Sequence, residues 1–375
     1  MKKNLALLVS LIFVVGLFSG FAAKQEEIKI GVVAPLSGAV STYGNSAKNA
    51  LMLLQDQVNA AGGINGKKLN LISYDDEGKA ATAATVGSKL INQDRVVAIV
   101  GPLTSGCANA LGPIAQASKI PMITGTATAA SVTSAGNFIF RTCFIDPFQG
   151  TVVAKFALKD LKTKKVAILY DNGNDYSKGL AEAFEKSFKA IGGTIIAKET
   201  YSTGDQDFNA QITKIKSKSP AALYLPDYYN VVGLIAKQAR AQGITVPLLG
   251  CDGWDSAELK KFGGTAVNNS YFSNHYSADS TSPEVVKFVK EYKAKYKAVP
   301  DALAALSYDA GKILIDAIKK SGKTDGESIR KALVKTNIKV VSGKVTFDNN
   351  RNAIKSAVIL KVDKGTVKYV KTVNP

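Results

Sequence analysis

The residue types able to do chemistry gather where apolar runs give way to helical patterns. After the run 96–100 comes Gly101-Pro102-Leu103-Thr104-Ser105-Gly106-Cys107, a hydroxyl among small residues at the start of a helix. Free backbone N–H groups and a positive dipole end suit a carboxylate there, although a serine cap on an ordinary helix looks the same. After 121–124 comes Gly125-Thr126-Ala127-Thr128, rich in hydroxyl and carbonyl groups and free of charge. After 221–225 comes Pro226-Asp227-Tyr228-Tyr229-Asn230, and after 247–250 comes Cys251-Asp252-Gly253-Trp254-Asp255. Carboxylate receptors at the first two junctions, facing Tyr228 and Asp252 at the last two, suit a zwitterion. Asp252 would pair the ammonium through a charge-assisted hydrogen bond. That is the chemistry of capture.

Other chemistries fail on their own requirements. Ser321-Gly322-Lys323-Thr324 resembles the end of a phosphate-binding loop, but Ala317 stands where the first glycine is needed, and the segment follows a helix. No two glycines are spaced G-x-G, so the dinucleotide fingerprint is absent. The stretch 171–182 has the span of a calcium loop, yet Gly173 takes a ligand place and Tyr176 replaces the turn glycine. His275 is the sole histidine and sits in a Tyr-rich strand-like segment, 271–276, without a G-x-S-x-G elbow anywhere. Its expected part is structural. One His and three Cys exclude a multi-histidine metal site and a four-cysteine zinc site. No enzyme activity, metal or cofactor is expected.

The elements that must hold these junctions follow from periodicity. Strands are expected at 28–34, 68–74, 96–100 and 121–124, with helices at 43–61, 80–93 and 105–118 between them. The pattern restarts after Phe144-Ile145-Asp146-Pro147, with strands at 166–170, 194–198, 221–225 and 247–250. Three helical stretches without a strand fill 283–335, and 357–373 folds as a hairpin through Asp363-Lys364-Gly365. Strands separated by helical patterns mean βαβ units, hence parallel sheets with helices on both faces. In such sheets ligands bind beyond the carboxyl ends of the strands, where the junctions lie.

The chain has 375 residues, enough for about two domains. Lys2 and Lys3 precede the apolar run 5–18 and the small residues Ser19-Gly20-Phe21-Ala22-Ala23. This is the layout of a secretory signal, too short to span a bilayer, with no cysteine near its exit for a lipid anchor. Export removes nucleic acid as a partner for the net charge of +18. Cys107, Cys143 and Cys251 are expected as buried thiols, with a Cys107–Cys143 bridge left open.

Five ordered segments then carry a resemblance: Asn59-Ala60-Ala61-Gly62-Gly63-Ile64-Asn65-Gly66, Gly101-Pro102-Leu103-Thr104-Ser105, the stretch 141–150 from Arg141 to Gly150, Leu225-Pro226-Asp227-Tyr228-Tyr229, and Asp252-Gly253-Trp254-Asp255. Together they resemble the branched-chain amino-acid-binding proteins of ABC importers, which are type I periplasmic binding proteins. The resemblance implies an α/β fold of two lobes, each a parallel sheet flanked by helices, joined by three hinge crossovers. It implies that Ser105, Thr126 and Thr128 grip the ligand's carboxylate and amino group, that Tyr228 and Asp252 hold the ammonium, and that Tyr43 and Tyr176 flank the side chain. The family disulfide after the second strand is missing here. Cys251 stands where a small residue is usual, and Asp252 is one methylene shorter than the glutamate of some relatives.

The expected division is a signal at 1–23, a first lobe from 24–143 and 276–342, and a second from 144–275 and 343–375. The expected function is capture of a small aliphatic amino acid (leucine, isoleucine or valine) by a monomer that delivers it to an ABC permease in the inner membrane. Two rivals stay open: a receptor of the same fold for an amide, urea or aromatic acid, and a periplasmic ligand sensor.

Overall fold

The computed structural model describes residues 26–375; the expected signal at 1–23 lies outside them. The first lobe opens with β1 (Glu27–Ala34), α1 (Ser41–Ala60), β2 (Lys68–Asp75), α2 (Ala80–Asn92), β3 (Ala98–Val100), α3 (Ser105–Ala117), β4 (Met122–Thr124) and β5 (Ile139–Arg141). Its sheet has the order β2-β1-β3-β4-β5 and is parallel throughout. The second lobe continues with α4 (Asp146–Lys155), β6 (Lys165–Asp171), α5 (Asp175–Ala190), β7 (Thr194–Tyr201), α6 (Asn209–Ser217), β8 (Ala222–Tyr224), α7 (Tyr229–Ala241), β9 (Leu248–Gly250), α8 (Leu259–Gly263) and β10 (Ser270–Asn274).

The chain then returns to the first lobe as α9 (Pro283–Tyr296), α10 (Ala302–Ser321), α11 (Gly326–Val334) and the hairpin β11 (Asn337–Val340) and β12 (Gly343–Thr346). It ends in the second lobe as β13 (Ala357–Asp363) and β14 (Thr366–Val373). The second sheet has the order β14-β13-β10-β9-β8-β6-β7, with β13 antiparallel to both its neighbours. Two lobes and three passages between them are the architecture expected from the sequence.

One boundary differs. The sequence division sends residue 343 to the second lobe, but β12 pairs with β11, and Val345 and Ala353 pack with Ile30 and Leu51 in the first lobe's core. The chain joins the second sheet only at Ala357, so Gly343 marks a turn within the first lobe. β5 was not anticipated either: three residues between Phe138 and Thr142 carry too little periodicity to announce a strand.

A single hydrophobic cluster joins the lobes. Ala34, Val40, Tyr43, Leu103 and Leu303 of the first pack with Tyr176, Leu225, Tyr229 and Trp254 of the second, which brings the strand ends together. Trp254 is fully buried, and its indole N–H donates to the Leu225 carbonyl at 3.0 Å. The ring lies against Gly250 so closely that a Cβ there would stand 2.2 Å from it. Gly250 is needed for that approach, which seats the turn carrying Asp252. Gly250→Ala is expected to cost about 2 kcal/mol of stability, read by urea unfolding, because the ring has nowhere to retreat.

Candidate ligand-binding site

Short strands end at the cleft and release their polar loops into it. On the first lobe, Thr124 Oγ1 donates to the Pro102 carbonyl at 2.6 Å and accepts the Ala127 N–H at 3.1 Å. Thr126 Oγ1 donates to the Leu103 carbonyl at 2.7 Å, and Ser105 Oγ accepts the Ala129 N–H at 3.1 Å. These bonds lock the two loops around the start of α3. The N–H groups of a first helical turn have no partner within the helix, and here they face the cleft with a positive dipole end.

The opposite wall is built around Asp252. Its Oδ1 accepts the Gln149 side-chain N–H at 2.9 Å and the Tyr176 hydroxyl at 2.6 Å. Its Oδ2 lies 3.0 Å from His275 Nε2. Gln149 returns the contact, accepting the Asp252 N–H at 2.8 Å and the Ser273 hydroxyl at 2.7 Å. Tyr176 also accepts the Gly253 N–H at 2.8 Å. Burial lowers the His275 pKa and outweighs the upward pull of Asp252. The neutral imidazole therefore donates its Nε2–H to the carboxylate, its face stacked on Phe144 at 3.7 Å between ring centroids. Two of the acid's oxygen lone pairs are used at Oδ1 and one at Oδ2, so a further donor can be met at Oδ2.

Between the walls lies a narrow cavity of about 20 Å³. Tyr43, Ser105, Thr126, Tyr176, Tyr228 and Asp252 line it, six of the seven residues anticipated, together with Leu103, Thr104, Gly253 and Leu303. Asp252 is the only charged side chain in that lining. Thr128 is different. It is fully buried away from the cavity, and its carbonyl accepts the Asp146 N–H at 3.0 Å at the first crossover. The alternation Thr126-Ala127-Thr128 turns one hydroxyl into the cleft and leaves the other in the hinge.

Tyr176 does more than flank the cavity: its hydroxyl fixes Asp252, and its ring stacks on Tyr228 at 5.0 Å and an interplanar angle of 6°. Tyr43 reaches across the lobes, donating to the Gly253 carbonyl. Thr42 and Ser256 hydroxyls meet at 3.1 Å, and the Tyr229 hydroxyl donates to the Ala39 carbonyl at 3.2 Å. These bonds hold the lobes closed.

Gln149 and His275 were missed as site residues. Gln149 stood inside a quoted motif with nothing to mark its role, and a lone histidine in a strand-like segment gives no signal of an acid 23 positions away. Cys107, Cys143 and Cys251 are free and buried, so the bridge left open does not form. Cys251 does not disturb the cleft; its sulfur sits beneath it, 3.1 Å from the Tyr176 hydroxyl.

Asp227 supports the Tyr228 turn from behind, accepting the Tyr228 N–H at 2.7 Å and the Tyr201 hydroxyl. Burial pushes its pKa from the usual 3.8 up to about 7 despite these donors. The folded chain keeps a proton there that the unfolded chain releases, so stability falls as pH rises from about 4 to about 7. Asp146 adds the same sign, raised by burial to about 8. Asp227→Asn is expected to reduce the loss of melting temperature between about pH 5 and pH 8 without abolishing it. An unchanged slope would show that Asp227 is ionised throughout.

The model of the periplasmic binding protein family matches residues 27–366. A Leu/Ile/Val-binding protein of Rhizobium johnstonii is 34% identical over 326 residues, covering 86% of this chain and 88% of that protein. The crystal structure of a leucine-binding protein from Thermotoga maritima superposes with a TM-score of 0.89 at 37% identity, covering 93% of this chain and 99% of that one. The branched-chain amino acid transporter substrate-binding protein of Streptococcus pneumoniae, solved with isoleucine, gives a TM-score of 0.89 at 35% identity, covering 93% and 100%.

Proposed function

Because the chain belongs to the periplasmic binding protein family, we propose that it is the exported receptor of an ABC-type importer, closing on leucine, isoleucine or valine. The observation that carries this reading is the lone charge in the cavity, Asp252, set opposite the amino end of α3. A ligand fitting both walls has one ammonium and one carboxylate on a small frame. Its ammonium donates to the open lone pair of Asp252 Oδ2 and packs beside Tyr228. Its carboxylate meets the N–H groups at the start of α3 and the hydroxyl of Ser105, whose proton is not spent on the Ala129 N–H it accepts. Leu103, Leu303 and the tyrosine rings leave an apolar end for an aliphatic side chain. A charged side chain would have no partner there, which costs far more than a missing methylene.

No bond is broken in this mechanism. The ligand touches both lobes only when they are closed, and that differential affinity shifts the population toward the closed form. Release to a membrane permease then needs only that the lobes part. On this reading the receptor acts as a monomer in the periplasm; its family supports the location.

Titration calorimetry against each common amino acid tests it. Heat from leucine, isoleucine or valine is the expected result, and silence from all of them would overturn it. Asp252→Ala should weaken amino-acid binding by about a hundredfold or more, because the ammonium loses its buried counter-charge. A variant that still bound a neutral amide or an aromatic acid would favour the rival reading.

Gln149→Leu tests the support of the acid. Loss of a hydrogen bond to a charged group is expected to lower affinity by about tenfold to a hundredfold. Far-ultraviolet circular dichroism should be unchanged, which separates a misplaced carboxylate from a misfolded chain.

A further inference from the structure

The net charge of +18 has no part in a cleft whose one charged side chain is negative. Its location is informative. Both sheets aim the carboxyl ends of their parallel strands at the cleft, so the amino ends form a pole at the far side of each lobe. At the first lobe's pole, Glu26, Glu27, Asp94 and Asp325 stand among the basic residues, and Lys67 pairs with Glu26 at 2.6 Å.

The second lobe's pole lacks that balance. It is formed by segments 161–165, 192–194, 216–221, 243–248, 268–270 and 364–365, which contain no Asp or Glu. Backbone bonds hold them side by side: the Thr194 N–H donates to the Lys164 carbonyl and the Ala221 N–H to the Lys165 carbonyl, each at 2.8 Å. The Gly365 N–H donates to the Asn268 side chain at 3.1 Å. On this end Lys162, Lys164, Lys165, Lys216, Lys218 and Lys364 are exposed, and none makes an ion pair among the described residues. The acids flanking it in sequence, Asp160 and Asp363, are already engaged by Lys371 and Lys368, each at 2.8 Å.

β6 and β8 are hydrogen-bonded neighbours, and adjacent strands lie about 4.8 Å apart. Lys164 and Lys165 therefore stand next to Lys216 and Lys218, within about one Debye length at physiological salt. Serine, threonine, asparagine, glycine and proline fill most of the rest of the end. It offers no aromatic face for a base to stack on and no helix side for a groove. A broad, acid-free array of flexible ammonium groups fits a plane of phosphate headgroups.

We infer that the amino-end pole of the second lobe docks the protein on an anionic phospholipid surface, leaving the cleft free to open and close. The inference goes beyond the receptor reading and does not rest on it.

Vesicle co-sedimentation at low salt tests it, comparing phosphatidylcholine mixed with phosphatidylglycerol against phosphatidylcholine alone. Retention on the anionic vesicles only, reversed by raised salt, is the expected result. The variant Lys164→Gln, Lys165→Gln, Lys216→Gln, Lys218→Gln should bind about a hundredfold more weakly or worse. Lys67→Gln with Lys68→Gln, at the first lobe's pole, should change retention less than about twofold. Equal retention on both vesicle types, a quadruple variant that binds like the parent, or tighter binding to duplex DNA than to vesicles would overturn it. Calorimetry with leucine, isoleucine and valine on the same quadruple variant should match the parent, so docking and ligand capture succeed or fail separately.

Discussion

Everything at the cleft depends on keeping one carboxylate in place inside a largely apolar seam between two lobes. An acid so placed is costly unless its lone pairs are met. Asp252 is met by three neutral donors from three separate parts of the chain: Gln149 on α4, Tyr176 on α5 and His275 just beyond β10. Because none of them is a cation, the negative charge is held without being cancelled. An ammonium from outside is then the natural complement, and the opposite wall answers with dipoles and hydroxyls.

That constraint organises the surrounding packing. Trp254, pressed against Gly250, seats the turn that begins with Asp252, and Phe144 at the first crossover backs the imidazole at the second. The lobes meet through Tyr43, Leu103 and Leu303 on one side and Tyr176, Leu225 and Tyr229 on the other. The same tyrosines are therefore core residues of the closed form and walls of the cavity.

Most of the fold was legible because long amphipathic helices and β-branched strands have strong periods, and the junctions holding Ser105, Thr126, Tyr228 and Asp252 fell at strand ends as parallel sheets require. Tyr43 and Tyr176 came from family resemblance, and only the structure joins the Tyr176 hydroxyl to Asp252. Thr126 and Thr128 part company, one in the cavity lining and one outside it, because a loop, unlike a strand, need not keep positions two apart on one face. Gln149 and His275 escaped because their contacts span 103 and 23 positions, distances over which composition and spacing say nothing. The last crossover slipped for a related reason: a short hairpin that folds back on its own lobe looks, in sequence, like a departure from it.

The donors around Asp252 all come from the second lobe or from crossovers packed on it, whereas the Tyr43–Gly253 bond spans the gap. Parting the lobes breaks the second kind and spares the first. The acid wall is thus assembled by one lobe and its crossovers alone, and its bonds do not depend on contact with the other lobe. On the proposed reading, an ammonium would find its socket complete on one lobe, whereas the carboxylate would need the other lobe's α3 brought opposite it.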